Sequence, residues 1–141
     1  MDYREAYEKA LQLLNIRFLS EGELKAKLRR RGVDDDVLED VVAALEGEHF
    51  LDDQRLARDV YRYYARKGQY GHLYIVNRLR RRCLPVPEDV ERPDEYALAG
   101  DLVKRKFSYR ADEARKAARF LQYRGFSPSV IRDVPEDFTV H

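Results

Sequence analysis

A chain of 141 residues that is 44% hydrophobic, with ten tyrosines and six phenylalanines, has enough apolar side chains to fold around a core, which argues against a disordered protein. Its single cysteine excludes an intramolecular disulfide, and the charged residues within positions 1–5 argue against a secretory signal. No run approaches the roughly twenty apolar residues that a membrane span needs. These features predict a soluble, cytoplasmic protein with no membrane partner.

The first predicted unit, residues 1–51, contains three helices. Apolar residues at three- and four-residue steps predict the first helix. Ser20 and Glu23 have the spacing of a capping box, so a second helix begins at Ser20 and ends at Gly32. A third begins at acidic residues 34–36, whose carboxylates can cap it.

The second predicted unit, residues 52–93, repeats the first two of these helices. One begins at Asp52 or Asp53, and the next runs from near Tyr70 to Arg82. Three prolines follow and leave little more than one turn for a shortened third helix; they are Pro85, Pro87 and Pro93.

The third predicted unit, residues 94–141, again holds helices joined by turns. Its second helix begins at Asp112 and closes at Gly125. A short helix then begins with Pro128 and is stopped by Pro135. No segment of the chain has the alternation or the turn chemistry of a hairpin, so no sheet is predicted.

Each unit carries one common pattern, in which a leucine and arginine-rich residues lead into a turn at intervals of roughly forty to fifty residues. A unit of this size cannot bury its own apolar face and must stack on its neighbours. The pattern therefore predicts an all-α fold, an elongated tandem array of three-helix, helix-turn-helix-like repeats. The three copies are Leu28-Arg29-Arg30-Arg31-Gly32-Val33, Leu79-Arg80-Arg81-Arg82-Cys83-Leu84 and Leu121-Gln122-Tyr123-Arg124-Gly125-Phe126.

The formal net charge of +1 hides a strong zoning of charge along the chain. Between Arg55 and Arg82 the basic residues far outnumber a single acid, Asp59, while the stretches on both sides are acidic. This zoning favours an acidic or polyanionic partner at the middle of the chain. Solvated helix faces that happen to be basic are the alternative interpretation.

Residues that could carry catalysis or hold a cofactor do not form any recognisable motif. His49, His72 and His141 lie in different units without metal-ligand spacing, and Cys83 has no evident base beside it. We therefore predict no catalytic residue, no metal site and no cofactor, and a protein that is not an enzyme.

Two modes of nucleic-acid binding remain open. Tyrosines among the basic residues of the middle unit could stack on single-stranded bases, although Tyr61 and Tyr64 also fit the apolar stripe of a helix. Helix-turn-helix recognition is possible only for the middle unit, because the second helices of the other two begin with acidic residues that repel phosphates.

Four motifs, in order from about Tyr7 to Val134, resemble the RecX family of RecA regulators. Cys83 departs from the family by replacing a turn glycine, and Leu19 stands where a basic residue is usual. The motifs are Arg17-Phe18-Leu19-Ser20-Glu21-Gly22-Glu23-Leu24, Phe50-Leu51-Asp52-Asp53-Gln54-Arg55-Leu56-Ala57, Gly71 with Ile75 and Leu79, and Leu121 with Arg124-Gly125-Phe126 and Val130-Ile131.

The resemblance implies a regulator that binds RecA filaments on single-stranded DNA and so modulates recombination and DNA repair. It implies RecA as the partner. The overall charge near +1 and the acidic flanks predict weak or indirect contact with DNA, and we expect the protein to act as a monomer. A direct nucleic-acid-binding regulator of helix-turn-helix type is the alternative. The resemblance, combined with the charge zoning, predicts a filament-binding zone that comprises Arg62, Arg66, Lys67, Arg78, Arg80, Arg81 and Arg82.

Overall fold

The computed structural model describes residues 1–107 and 111–140, and the side chains of these residues except 111 and 137–140. The described residues form helices joined by turns, with no strand among them, which confirms the predicted all-α class. The α-helices are α1 (Tyr3–Ile16), α2 (Glu21–Arg30), α3 (Asp35–Gly47), α4 (Asp53–Arg66), α5 (His72–Arg81), α6 (Glu95–Lys106), α7 (Ala114–Tyr123) and α8 (Pro128–Val140), with a 3₁₀ turn at Ala111–Glu113 before α7.

The chain divides into two compact units, and neither is one continuous segment. The first unit comprises residues 1–59 and 79–87, and the second comprises residues 60–78 and 88–141. The boundaries between these two units therefore fall within the predicted second repeat, residues 52–93. The three predicted repeat boundaries stay a prediction.

The core of the first unit lies between α1, α2 and α3, whose apolar stripes face one another. Ser20 begins α2 as the predicted capping box: the Glu23 N–H donates to Ser20 Oγ over 3.0 Å, and the Ser20 N–H donates to Glu23 Oε1 over 3.0 Å. The side chains buried without exposure in this core are Ala6, Ala10, Leu24, Leu28, Leu38, Val41 and Leu45.

The core of the second unit joins α6, α7 and α8. Asp94 caps α6 by accepting from the Ala97 N–H over 3.2 Å. The fully or nearly fully buried side chains are Ala99, Val103, Ala117, Leu121, Phe126, Val130 and Val134.

Two expectations at prolines were wrong. Helix α8 continues through Pro135 instead of stopping there. Pro135 is itself buried, and the burial of its ring offsets the one backbone hydrogen bond that its missing N–H removes. Between Pro85 and Pro93 no helical turn forms at all, because both ends of that short segment are restricted by proline.

The same turn ends the second helix of each predicted repeat. Gly32, Cys83 and Gly125 have φ of 84°, 58° and 78°, so Cys83 takes the left-handed conformation of the glycine that it replaces. The next N–H in each turn returns to the leucine that begins the pattern, from Val33 to Leu28 over 3.2 Å and from Leu84 to Leu79 over 2.9 Å. A third such bond joins Phe126 to Leu121 over 3.2 Å.

Candidate functional site

The C-terminal half of α4 and the turn after it, in the second unit, present an exposed basic face. Arg62, Arg66 and Lys67 are exposed on it together with Tyr63, whose side chain is 55% exposed. The face forms because Tyr61 takes the buried side of the helix, which leaves the flanking arginines in solvent. Among the described residues, neither Arg62 nor Arg66 has an ion pair.

Arg62 and Arg66 line a shallow cleft of about 390 Å³ together with Arg92. Glu91 and Asp94 also line this cleft, so its rim carries both signs of charge. Three guanidinium groups around one cleft can bind phosphate or carboxylate groups with two hydrogen bonds each. The cleft is thus a candidate site for an anionic group of a partner.

A cluster of tyrosines lies on the same unit. The rings of Tyr70 and Tyr74 stack in parallel with centroids 3.9 Å apart, and Tyr64 meets both of them edge-on. Arg124 lies over the Tyr70 ring at 5.6 Å. Arg78 lies over the Tyr74 ring at 5.0 Å and donates to its hydroxyl over 2.7 Å.

Arg78 changes the acidity of the Tyr74 hydroxyl to which it donates. Burial on its own would raise the pKa of Tyr74, but the hydrogen bonds from Arg78 and Tyr70 and the positive charge of Arg78 outweigh burial and lower it. Arg78, one of the predicted filament-binding residues, is therefore engaged within its own unit. Tyr63, whose ring meets that of Tyr64 edge-on, is more exposed than the three tyrosines of the cluster, and Lys67 Nζ lies 4.8 Å from its ring centroid.

The triple arginine at the end of α5 is split between two roles within the first unit. Arg80 and Arg81 are exposed. Arg82 is only 20% exposed and pairs with Glu23, which is 19% exposed, over 3.1 Å. Its guanidinium also donates to the Phe18 carbonyl over 2.7 Å. Arg82 thus holds the end of α5 against the start of α2 and has little freedom to bind a partner.

Glu23 has two tasks at this contact, because its carboxylate accepts from both the Ser20 N–H and Arg82. Burial tends to raise the pKa of Glu23, and the hydrogen bonds and charge of Arg82 with the Ser20 hydrogen bond lower it overall. Close packing accompanies the ion pair: a Cβ on Gly22 would lie 2.7 Å from the Cβ of Cys83.

Arg124 makes the equivalent contact within the second unit. Its guanidinium donates to Gln69 Oε1 over 3.0 Å and lies 3.4 Å from the Gln69 carbonyl. The Gly71 N–H donates to the Arg124 carbonyl over 2.7 Å, and the Leu73 N–H donates to the Gly125 carbonyl over 3.1 Å. We call the Arg82 and Arg124 contacts the two junctions, because each joins an arginine-containing turn to the start of the preceding second helix.

The sequence interpretation missed the junctions. The signal was present, since an arginine stands directly before the turn residue in all three copies of the pattern, but it was interpreted as charge for solvent or for a partner.

Tyr61 and His72 form a polar contact inside the second unit. Tyr61 Oη lies 2.8 Å from His72 Nδ1, and the Tyr61 side chain is fully buried. Burial, followed by the charge of Arg92, lowers the pKa of His72 and keeps its imidazole neutral near pH 7. The part of the chain that the structure describes contains no group of three or more side chains that could hold a metal ion.

The described helices include none that is long and apolar enough to span a membrane.

Comparison with family models finds two matches. Residues 6–45 match the model described as RecX, first three-helix domain, and residues 93–134 match RecX, third three-helix domain. Together these two stretches cover more than half of the chain.

Relatives described as regulatory protein RecX align with nearly all of the chain. The protein of Geobacillus kaustophilus is 29% identical over 99% of the chain, and that of Vibrio cholerae serotype O1 is 32% identical over 93%. The alignment covers 91% of the Vibrio protein but 56% of the Geobacillus protein, and 55% of its Geobacillus thermodenitrificans counterpart. The chain thus spans just over half the length of the Geobacillus relatives.

A crystal structure of RecX from Lactobacillus salivarius has the same fold. It superposes with a TM-score of 0.80 at 21% sequence identity, covering 99% of this chain and 98% of that one.

Proposed function

The chain belongs to the RecX family of regulatory proteins, and we propose that it is a non-enzymatic modulator of the RecA recombinase. It binds RecA filaments on single-stranded DNA and slows their ATP hydrolysis and strand exchange. The observation that carries this proposal beyond the family name is the exposed basic face of α4. A filament of protein on DNA offers the carboxylate and phosphate groups that such a face binds.

The contacting residues are the predicted basic ones that the structure leaves exposed. Arg62, Arg66 and Lys67 contribute from the second unit, and Arg80 and Arg81 from the first. Arg78 and Arg82 support the site from within their own units, because Tyr74 and Glu23 already occupy their guanidinium groups. Several weak contacts distributed along a repetitive partner combine into firm binding by multivalency.

The experiment is a titration of RecA-dependent ATP hydrolysis on single-stranded DNA, with this protein well below the RecA concentration. The natural sequence should suppress hydrolysis. The double variant Arg62→Glu and Arg66→Glu should need about tenfold more protein, because reversing two contacting charges weakens and slows association. Suppression by the natural sequence is the result on which the proposal depends.

The matched control reverses two exposed charges elsewhere on the second unit, Lys104→Glu and Arg105→Glu at the end of α6. It changes the net charge by the same amount and should suppress hydrolysis as the natural sequence does. If both double variants lose suppression of ATP hydrolysis equally, overall charge and not the basic face of α4 determines the effect.

The alternative is direct binding of nucleic acid, and the open ring of Tyr63 beside Arg62, Arg66 and Lys67 is the observation that favours it. Binding to single-stranded and duplex DNA without RecA, at matched salt, separates the two. Tight binding to bare DNA with no effect on RecA hydrolysis would establish the alternative.

A further inference from the structure

The turn that ends α2 in the first unit has the structure of the other two turns but lacks their contact. At the two junctions, the arginine before the turn residue donates to a carbonyl and to a side-chain oxygen near the start of a preceding helix. At the turn of α2 the equivalent residue is Arg31, which is exposed. Its guanidinium has no hydrogen bond or ion pair within the described ranges.

The space around the turn residue also differs between the turn of α2 and the two junctions. A Cβ on Gly125 would overlap the backbone nitrogen and the Cβ of Tyr74, and the Cβ of Cys83 lies in tight contact with the position of a Cβ on Gly22. The corresponding position on Gly32 has nothing of the described molecule within 4 Å. Val33 is nevertheless buried, so the turn is held firmly by its own unit.

We propose that the turn at Arg31 and Gly32 is a docking surface for the start of a helix in a protein partner. The Arg82 junction is the template for Arg31, which donates to a carbonyl that precedes the partner helix and to a carboxylate in its first turn. The turn at Gly125 is the template for Gly32, which allows the partner backbone to approach closely. The inference rests on the proposed function, in which this partner is the protein component of the filament. It assigns to the first unit a specific contact that the basic face of α4 does not provide.

The start of α7 in a second copy does not fit as the occupant. By the register of the three copies, Lys116 stands in the third where Glu23 stands in the first. An ammonium group there would repel Arg31. The start of α7 thus lacks the complement that Glu23 supplies at the first junction.

Nucleic acid is also disfavoured at this turn. Residues 34–36 are three exposed aspartates directly after it, and Asp35 holds Arg29 over 3.3 Å. A nucleic-acid strand carries further phosphates beside the one that Arg31 would bind, so it brings more negative charge near these carboxylates than a single partner carboxylate does. A short approach to Gly32 suits a polypeptide backbone.

The test uses RecA filaments assembled on an immobilised single-stranded oligonucleotide with a slowly hydrolysed ATP analogue, and measures the dissociation constant of this protein. Arg31→Glu should weaken binding about tenfold or more, because a charge-assisted contact is replaced by repulsion. Gly32→Asn should weaken it by a similar factor by filling the open space. Asparagine tolerates the left-handed backbone, and Cys83 occupies the same conformation in this chain.

Arg30→Glu is the matched control. It makes the same change of charge one residue away, and the equivalent positions at the two junctions, Arg81 and Tyr123, are exposed. Its dissociation constant should stay within about twofold of the natural sequence. Circular dichroism and thermal unfolding of all three variants check that the fold is retained.

The outcomes separate this inference from the proposed function. Equal weakening by Arg31→Glu and Arg30→Glu, or unchanged binding by both Arg31→Glu and Gly32→Asn, overturns the docking surface while the modulator proposal stands. Loss of binding to bare DNA by Arg31→Glu alone would make the turn a phosphate contact and would also overturn it. No binding of the natural sequence to filaments overturns both proposals.

Discussion

The junction in the first unit and the junction in the second are built on the same turn but are held by different forces. Arg82 forms an ion pair with Glu23, and its turn residue is a cysteine that packs on a glycine. Among the described residues Arg124 meets no carboxylate; it uses neutral oxygens of Gln69 and a contact with the Tyr70 ring. Two backbone hydrogen bonds, from Gly71 and Leu73 at the start of α5, reinforce this junction. The comparison teaches that the repeated pattern fixes where an arginine lies, while the acceptor that it meets is free to vary.

The largest difference should appear when a methyl group is added to the turn of the second unit. Gly125→Ala should lower the free energy of unfolding by about 3 kcal/mol or more, since it adds a steric overlap with Tyr74 to the cost of a left-handed backbone. Urea unfolding measures this.

Gly32→Ala is the control for that change, because Gly32 has nearly the same φ and no neighbour at the Cβ position. This change should lower the free energy of unfolding only by the cost of the left-handed backbone, about 1–2 kcal/mol. Equal losses at the two glycines would mean that the second junction is not tightly packed.

Removal of each junction arginine should distinguish the ion pair from the neutral contact. Arg82→Met should cost about 2 kcal/mol, because it leaves the half-buried Glu23 carboxylate without its cation. Arg124→Met should cost about 1 kcal/mol, since Gln69 is exposed and can bond to water. A larger loss for Arg124→Met would reverse the proposed ranking of the two junctions.

The two junctions should also differ in their response to pH. The folded chain lowers the pKa of Glu23 below its ordinary 4.5, so this group stabilises the fold above pH 4.5 and loses that contribution as the pH falls through the lowered value. The stability gap between the natural sequence and Arg82→Met should therefore narrow from pH 7 to pH 3. The gap for Arg124→Met should stay constant, as measured by urea unfolding at each pH.

The smallest effect concerns the cysteine at the first junction. Gly22→Ala alone should destabilise the chain by about 1 kcal/mol, because the new methyl group would meet the Cβ of Cys83 at 2.7 Å. In a Cys83→Gly background that atom is gone, and alanine should instead stabilise α2 by a few tenths of a kcal/mol. A double-mutant cycle of thermal unfolding measures the coupling. An additive result would mean that Cys83 does not pack against the residue at position 22.

Sequence patterns predicted the local features of this fold well. Ser20 and Glu23 lie close in the chain and form the predicted capping box, and Gly32 and Gly125 take the predicted left-handed turns, because such features depend on a few neighbouring residues. Pro135 was misjudged because burial of its own ring, a tertiary effect, outweighs the local break.

The candidate site was only partly accessible to such reasoning. The basic zone was visible in the sequence, but the partners of Arg78 and Arg82 were not. Arg82 is engaged by Glu23 and Phe18, some sixty residues away, and no local pattern encodes that pairing. The exposed members of the predicted zone, Arg62 and Arg66 among them, remain proposed contacts.

The interrupted make-up of the first unit has a consequence for synthesis on the ribosome. Residues 1–59 emerge first, but the unit also needs residues 79–87, which carry Arg82. The carboxylate of Glu23 must therefore wait for its cation while some sixty further residues are added, which takes about 3–12 seconds at about 5–20 residues per second. The nascent first unit completes its junction only after Arg82 has left the exit tunnel, and residues 60–78 of the second unit have by then already emerged.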